Sequence, residues 1–290
     1  MLRFLYVTDL HGWEAAYEAV LDAAVARGIP YIVNGGDMLP KGSGILKAQK
    51  RFIQGFLRAH VARCQATGVR FYGMFGNDDL ASRLPYWREV LAEHPCAADL
   101  TAGWHEWPEG LRLRGVNHVP DHPFGIKDWS VMDTRAFTPP AQWSAPILSG
   151  PEGFEKIPDL HAFLAGRPTL AERLAAAGRE APELSRAILV SHCPPAGLGL
   201  AVTGGLTGGR DVGSVALRGW IERWQPLLTL HGHIHESPEM TGVHTATLGR
   251  TLCHQPGQRG APELTLSMVE IAGEAVRIER EVLAVAGSPD

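Results

Sequence analysis

The chain has 290 residues, of which 45% are hydrophobic, and its formal net charge at pH 7 is −4. This length suits one or two domains with a sizeable core, while the weakly acidic balance argues against a broad basic surface for duplex nucleic acid or for a membrane. No apolar run is long enough to span a bilayer, and no signal-peptide pattern opens the chain. Four cysteines without CxxC spacing suit a reducing compartment, so we expect a cytoplasmic protein.

The first part of the chain has the pattern of a β-α-β unit. Apolar residues at 4–7 predict a buried strand, and helical spacing over 13–27 leads to a second strand over 29–33. This order predicts parallel strands joined by a right-handed crossover. The later predicted elements are a helix over 45–66, a strand over 69–75, a helix over 82–93, a hairpin over 104–116, a helix over 169–178, a strand over 188–190, a helix over 212–224, a strand over 226–230 and β structure over 243–284.

Residues 119–168 have a different composition, rich in proline, glycine and large aromatic side chains. Such a segment is too apolar to be disordered, so we interpret it as an ordered insertion. We expect one domain over 1–290 with an insertion or flap at about 119–185. The segment could cover a site or form a dimer contact, which leaves a homo-oligomer open.

Polar residues suited to metal binding follow five of the predicted strands. Each of them has an ordinary alternative role, such as a helix cap or a turn residue, but all five coinciding by accident is far less plausible. Because ligands collect at the carboxyl ends of parallel strands, we expect these residues at one edge of one sheet, with the first two on the same face by strand alternation. The residues are Asp9, His11, Asp37, Asn77, His192, His233 and His235.

The motifs Asp-x-His, Gly-Asp, Gly-Asn-x-Asp, Ser-His and Gly-His-x-His occur in this order. From residue 4 to about 270 the chain resembles the calcineurin-like binuclear metallophosphoesterases, especially small prokaryotic phosphodiesterase-like members. The resemblance implies an α/β fold, a four-layer α/β/β/α sandwich with two central mixed sheets, in which the late β strands would pack as the second sheet. It also implies two divalent metal ions, and the mixed nitrogen and oxygen donors fit Mn, Fe, Zn, Co or Ni.

The resemblance assigns the ligands and the reaction. It implies one metal on Asp9, His11 and His235, a second on Asn77, His192 and His233, and Asp37 as the bridge. The implied reaction is hydrolysis of a small phosphate ester by a hydroxide that the two metals share. Two other interpretations remain open, namely a non-catalytic protein-interaction scaffold on this fold and a nuclease acting on short single-stranded nucleic acid.

One position departs from the family pattern. The family often has a histidine after the asparagine of Gly-Asn, paired with the next acid, whereas this chain has Asp78 followed by Asp79. An ionised carboxylate cannot protonate a leaving group, so Asp78 could serve only with a raised pKa. We therefore expect Asp78, Asp79 and His192 to carry the catalytic roles, and diesters or activated esters to be preferred over alkyl monoesters.

Four further residues are candidate substrate contacts. Arg210 lies in a glycine-rich loop and could clamp a phosphate, although a solvated arginine is equally compatible with the sequence. His118, His122 and His254 follow strands or lie in loops predicted to face the site. His231, just before the Gly-His-x-His motif, is expected to have a supporting role.

Overall fold

The computed structural model describes residues 1–181, 183–204 and 208–286, so Gly205 of the predicted glycine-rich loop lies outside it. Its main strands form two six-stranded mixed sheets. The order of strands in the first sheet is β16 (Ala275–Ala284), β15 (Glu263–Ala272), β1 (Leu2–Val7), β2 (Tyr31–Asn34), β3 (Arg70–Gly73) and β4 (Ala97–Asp99). Strands β1 to β4 run parallel, and β15 pairs antiparallel with both β1 and β16.

The second sheet is also mixed. Its order is β13 (Thr245–Leu248), β14 (Thr251–His254), β12 (Leu228–Leu230), β11 (Ala187–Ser191), β6 (Leu111–Val116) and β5 (His105–Trp107). Strand β11 runs parallel to both β6 and β12, while β5 and β6 form the predicted antiparallel hairpin.

Helices cover the outer face of each sheet. On the first sheet lie α1 (Glu14–Ala26), α2 (Ile45–Phe52), α3 (Arg58–Ala66) and α4 (Leu84–Glu93). A π-helical turn at Ile53–Leu57 joins α2 to α3, so the helix predicted over 45–66 is continuous. On the second sheet lie α6 (Leu170–Glu180), which begins with a capping box at Thr169, and α7 (Val215–Trp224).

Strand alternation divides the apolar residues between the layers. In β1, Leu5 belongs to the helix-facing core, whereas Phe4 and Tyr6 pack between the two sheets. In β11, Leu189 faces α6 and α7 while Ile188 faces the other sheet. Alternation on fully buried strands therefore builds three cores, which confirms the expected α/β/β/α sandwich.

The predicted insertion is folded and tied to the rest of the protein. It contains the short strands β7 (Val119–Pro120), β8 (Ser130–Val131), β9 (Ile147–Ser149) and β10 (Phe154–Lys156) and the helix α5 (Leu160–Ala165). The buried guanidinium of Arg83 donates to the carbonyls of Gly150 and Pro151, and the Trp129 indole N–H donates to the Asp79 carbonyl at 2.6 Å. The remaining short elements are α8 (Ser237–Thr241) and 3₁₀ turns at Ala81–Arg83, Leu100–Ala102 and Pro108–Gly110.

Two expectations about strand arrangement are wrong. The late β segment does not form the second sheet by itself, because β15 and β16 extend the first sheet beside β1 while β13 and β14 extend the second. Strand β1 ends at Val7, so Asp9 and His11 lie beyond it, where strand alternation does not apply. In the described part of the chain, no helix has the length and apolar character needed to cross a membrane.

Candidate metal centre

The seven predicted ligands come from both sheets rather than from one. Asp9 and His11 follow β1, Asp37 follows β2 and Asn77 follows β3, all in the first sheet. His192 follows β11, and His233 and His235 follow β12, in the second sheet. The carboxyl ends of these five parallel strands meet along one side of the sandwich, which brings the side chains together.

One group consists of Asp9, His11 and His235, whose ligand atoms all lie within 4.8 Å of one another. The rings of His11 and His235 are 5.8 Å apart. Both ring nitrogens of His11 are buried without a hydrogen-bond partner among the described residues. Buried polar atoms are normally paired, so an unpartnered imidazole beside a carboxylate fits a metal ligand.

A second group is formed by Asp9, Asp37 and His192, again within 4.8 Å. Nδ1 of the fully buried His192 is 2.9 Å from the Gly35 carbonyl oxygen, which assigns the proton to Nδ1. Nε2 then faces Asn77 Oδ1 at 3.1 Å and Asp37 Oδ2 at 3.4 Å. Although burial opposes the charged form, Asp37 and Asp9 raise the pKa of His192 to about 10, so this position favours a positive charge.

Asp37 of the second group also faces His11 of the first group. Its Oδ2 is 3.4 Å from His192 Nε2 and 3.8 Å from His11 Nε2, while its Oδ1 accepts from the Asp78 amide at 2.9 Å. Burial opposes ionisation, but the neighbouring His192 and His11 hold the pKa of Asp37 below its usual range. This is the position that a carboxylate shared by two cations requires.

Asn77 and His233 complete the second group. The Asn77 Nδ2 amide donates to Asp78 Oδ1 at 2.9 Å, which leaves its Oδ1 oriented toward His192. The His233 ring is 5.3 Å from the His192 ring, and its backbone amide donates to Asp9 at 3.0 Å. Burial lowers the pKa of His233, which favours the neutral imidazole that binds metals.

The backbone at the centre is strained. Left-handed φ angles are uncommon outside glycine, cost free energy and cluster at functional sites. Of the six non-glycine residues with positive φ in the described chain, four are predicted ligands. They are Asp9 (56°), His11 (44°), Asp37 (50°) and His233 (67°).

Glycines of the sequence motifs allow this close packing. A Cβ atom at Gly76 would lie 2.2 Å from Asp37 Oδ1, and one at Gly232 would lie 2.6 Å from Asp9 Oδ2. Any larger residue would displace a carboxylate of the cluster. The glycines of Gly-Asn and Gly-His-x-His are thus explained by the space that the ligands occupy, and the residues present fit a pair of cations.

The two candidate catalytic aspartates have different surroundings. Asp79 is fully buried, and its carboxylate accepts from the amides of Met38, Leu39 and Gly76, each at 2.8 Å. It therefore holds two loops together and is not available for the catalytic role expected from the sequence. The side chain of Asp78 is 35% exposed with Oδ2 3.9 Å from His11 Nδ1, and burial together with Asp37 raises the pKa of Asp78 to about 7.

Of the four candidate substrate contacts, His122 is brought to the cluster. Its ring is 6.3 Å from that of His233, and its Nδ1 is buried without a partner in the described part of the chain. His118 is half-buried and packs edge-on against Trp129, with a pKa lowered to about 3 by burial and then by Arg173 and Arg167. No contact between His118 and the cluster occurs among the described residues.

His254 and Arg210 are not brought to the centre. His254 lies between the sheets, where Nε2 is 2.8 Å from Ser267 Oγ and Nδ1 is 3.1 Å from Thr245 Oγ1, so its fully buried ring cannot reach a substrate. The expectation for His254 followed from its place near a loop predicted to face the site, and the sequence does not reveal which layer its side chain faces. Arg210 is exposed, and among the described residues it makes no contact with the cluster. His231 has the expected supporting role, with Nδ1 3.0 Å from the Ser191 carbonyl.

Sequence reasoning missed Lys41, an exposed residue in the loop after Asp37. Its ammonium is close enough to influence the pKa values of both His11 and Asp78. A cation at the open side of the cluster could meet a phosphate oxygen. The sequence signal that could have identified Lys41 was its position four residues after the candidate ligand Asp37.

Comparisons with known proteins agree with this geometry. The family profile described as calcineurin-like phosphoesterase matches residues 2–237. No curated protein sequence matches the chain. A crystal structure of a protein from Thermus thermophilus is 16% identical and superposes with a TM-score of 0.58, covering 96% of this chain and 98% of that one.

A dimetal phosphatase from Danio rerio is 12% identical, with a TM-score of 0.53 over 98% of this chain and 99% of its own. At such identities the structural likeness establishes the fold alone. The family assignment comes from the profile, which spans all five ligand motifs. This chain belongs to the calcineurin-like phosphoesterase family and is a metal-dependent phosphoesterase.

Proposed function

We propose that this protein is a phosphodiesterase that acts on a small diester at a two-metal centre. The observation that carries the proposal is the position of Asp37, whose Oδ2 lies 3.4 Å from His192 and 3.8 Å from His11. A carboxylate between two donor groups favours two adjacent cations over one.

The ligand roles in this proposal follow the two groups. Asp9, His11 and His235 would hold one ion, Asn77, His192 and His233 would hold the other, and Asp37 would serve both. Bound divalent ions lower the pKa of a water molecule and neutralise charge on the phosphate. The Gly35 carbonyl keeps His192 Nε2 available, and Lys41 attracts the phosphate from the solvent side.

The preference for diesters rests on charge and on proton supply. A monoester carries more negative charge than a diester, and Asp78 beside His11 repels it at a pH above about 7, where this carboxyl is ionised. Asp79 is committed to three backbone amides, so it cannot support a proton donor at position 78. Esters with good leaving groups need no such donor.

We also propose that the protein is one domain with an insertion over about 119–185, of which the part before α6 acts as a flap over the site. Two contacts support this role. Trp129 donates to the carbonyl of Asp79 beside Asn77, and His122 contacts the His233 ring. The insertion is thereby connected to one loop of each sheet, and both loops carry a candidate ligand of the second group.

The test is a hydrolysis screen of the protein supplied in turn with Mn, Fe, Zn, Co and Ni. Aryl diesters, aryl monoesters, cyclic nucleotides and short single-stranded oligonucleotides should be compared, with Asp37→Asn as the inactive control. We expect the highest kcat/KM on aryl diesters. A preference for monoesters would overturn the diester proposal, and inactivity with every metal and substrate would favour the scaffold interpretation.

A further inference from the structure

The insertion presents a pair of exposed aromatic side chains next to the metal centre. Phe124 is 53% exposed and Trp143 is 56% exposed, and their rings meet edge to face with centroids 5.2 Å apart. In the described part of the chain, the third exposed large aromatic is Phe154, at 39%. Exposing two adjacent aromatic rings to water costs free energy, which is recovered when the rings bind a ligand or a partner.

A chain of ring contacts connects this pair to the predicted ligands. Phe124 lies 5.6 Å from His122, and His122 lies 6.3 Å from His233. His122 itself is 8% exposed, and its Nδ1 has no hydrogen-bond partner among the described residues. An unpartnered buried nitrogen between the ligands and the aromatic pair indicates a place where a polar group of a ligand is expected.

A buried ion pair fixes the backbone under this chain of rings. Lys127 and Asp121 have fully buried side chains, with Nζ 2.9 Å from Oδ1. The Lys127 ammonium also donates to the His122 carbonyl. Two buried charges need a fixed geometry to be tolerated, so the backbone that carries His122 and Phe124 is held in one conformation.

The segment that carries Trp143 is joined to the same backbone. The Trp143 amide donates to the Pro123 carbonyl at 2.8 Å, and Gln142 Nε2 donates to Asp121 Oδ2 at 3.0 Å. The aromatic pair is therefore preorganised, which reduces the entropic cost of ligand binding. Flexible apolar side chains would lack this advantage.

We propose that Phe124, Trp143 and His122 form a subsite for a planar, apolar substituent of the phosphodiester, such as an aryl group or a nucleobase. This inference rests on the proposed function. The phosphate occupies the metal centre, the His122 imidazole donates to an oxygen of the same substrate, and the ring of the substituent stacks on the aromatic pair. The subsite therefore discriminates between substrates by the substituent that remains on the phosphate after hydrolysis, and not by the leaving group.

The test compares phenyl p-nitrophenyl phosphate with methyl p-nitrophenyl phosphate, which share a leaving group and differ in the retained substituent. Wild type should prefer the phenyl ester, and Phe124→Ala or Trp143→Ala should lower kcat/KM for it about tenfold with little change for the methyl ester. Trp143→Phe, which keeps a ring, should retain most of the preference. Phe154→Ala is the matched control and should change neither rate.

A binding measurement separates this inference from the proposed function. Phenylphosphonate and methylphosphonate are titrated into metal-loaded wild type and variants by calorimetry. If neither ester is hydrolysed, the proposed function fails, while tighter phenylphosphonate binding that Trp143→Ala abolishes still supports the subsite. Equal binding of the two phosphonates overturns the subsite. Sedimentation of wild type and Trp143→Ala tests whether the rings contact a second copy of the chain instead. A wild-type dimer that dissociates in Trp143→Ala would overturn the subsite.

Discussion

At the scale of single residues, Asp37 is the side chain on which the two ligand groups depend. Asp37→Asn keeps the size of the side chain but removes its charge, so neither group retains its shared carboxylate. We expect wild type reconstituted with Mn to approach two ions per chain and Asp37→Asn to lose both. Elemental analysis measures this directly.

The control for this experiment is Asp211→Asn. Asp211 accepts from the amides of Gly197 and Gly213 in an exposed loop, outside the cluster. Its replacement should leave metal content unchanged. Full metal content in Asp37→Asn would contradict the bridging role.

A second residue-scale prediction concerns Asp78. Above about pH 7, where Asp78 is ionised and supplies no proton, hydrolysis should depend steeply on leaving-group pKa, because a general acid contributes roughly 10²–10⁴-fold. Asp78→His supplies a donor, but Asp79 is committed to three amides and cannot orient it. We therefore expect a gain near the lower end of that range for alkyl diesters and little change for nitrophenyl diesters.

Rates across a series of aryl and alkyl diesters give the slope for each variant. Asp78→Asn serves as the control, since it removes the charge without adding a transferable proton. A shallow slope already present in wild type would mean that protonated Asp78 or another group, with His122 and His118 the first to test, supplies the proton.

At the scale of elements, Asp79 joins the loops that follow β2 and β3. It accepts from Met38 and Leu39 in one loop and from Gly76 in the other. Asp79→Asn places an amide donor opposite amide donors, so at least one buried group loses its partner at a cost of about 1–3 kcal/mol. Urea unfolding should show this loss. Asp78→Asn, one residue away and half-exposed, should not lower the free energy of unfolding, because burial and Asp37 already disfavour the charged form of Asp78 in the folded protein. Equal losses in both variants would contradict the loop-joining role.

The elements themselves were largely predictable from sequence. Helices α1, α4 and α7 follow the apolar spacing of their sequences within a few residues, since each buries one face against a sheet. Strands β1 and β11 appear as short apolar runs, as fully buried parallel strands do.

Which strands pair was not predictable, because pairing is decided by tertiary packing. The late strand β15 pairs with β1 at the opposite end of the sequence, and no local pattern encodes that choice. The same limit explains the site. Motif spacing identified seven candidate ligands that the structure brings together. The buried position of His254 and the amide contacts of Asp79 depend instead on which layer each loop faces.

At the scale of the whole molecule, the centre joins the two halves of the sandwich. Asp9, Asp37 and Asn77 belong to loops of the first sheet, and His192, His233 and His235 to loops of the second. Without cations, the two sets are held by the shared core and by a few hydrogen bonds, such as that from the His233 amide to Asp9. Bound metal would add direct bonds across the junction of the sheets.

Metal removal should therefore lower global stability rather than loosen one loop. A ligand that binds only the folded state at 100 times its Kd adds about 2.7 kcal/mol, which corresponds to a rise in Tm of about 4–5 °C for a chain of this length. Calorimetric scans of chelator-treated and Mn-loaded protein measure the difference. In Asp37→Asn the two scans should coincide, because the shared carboxylate is missing, whereas Asp211→Asn should behave as wild type. An undiminished rise of Tm in Asp37→Asn would mean that the stabilising metal binds somewhere other than the junction of the two sheets.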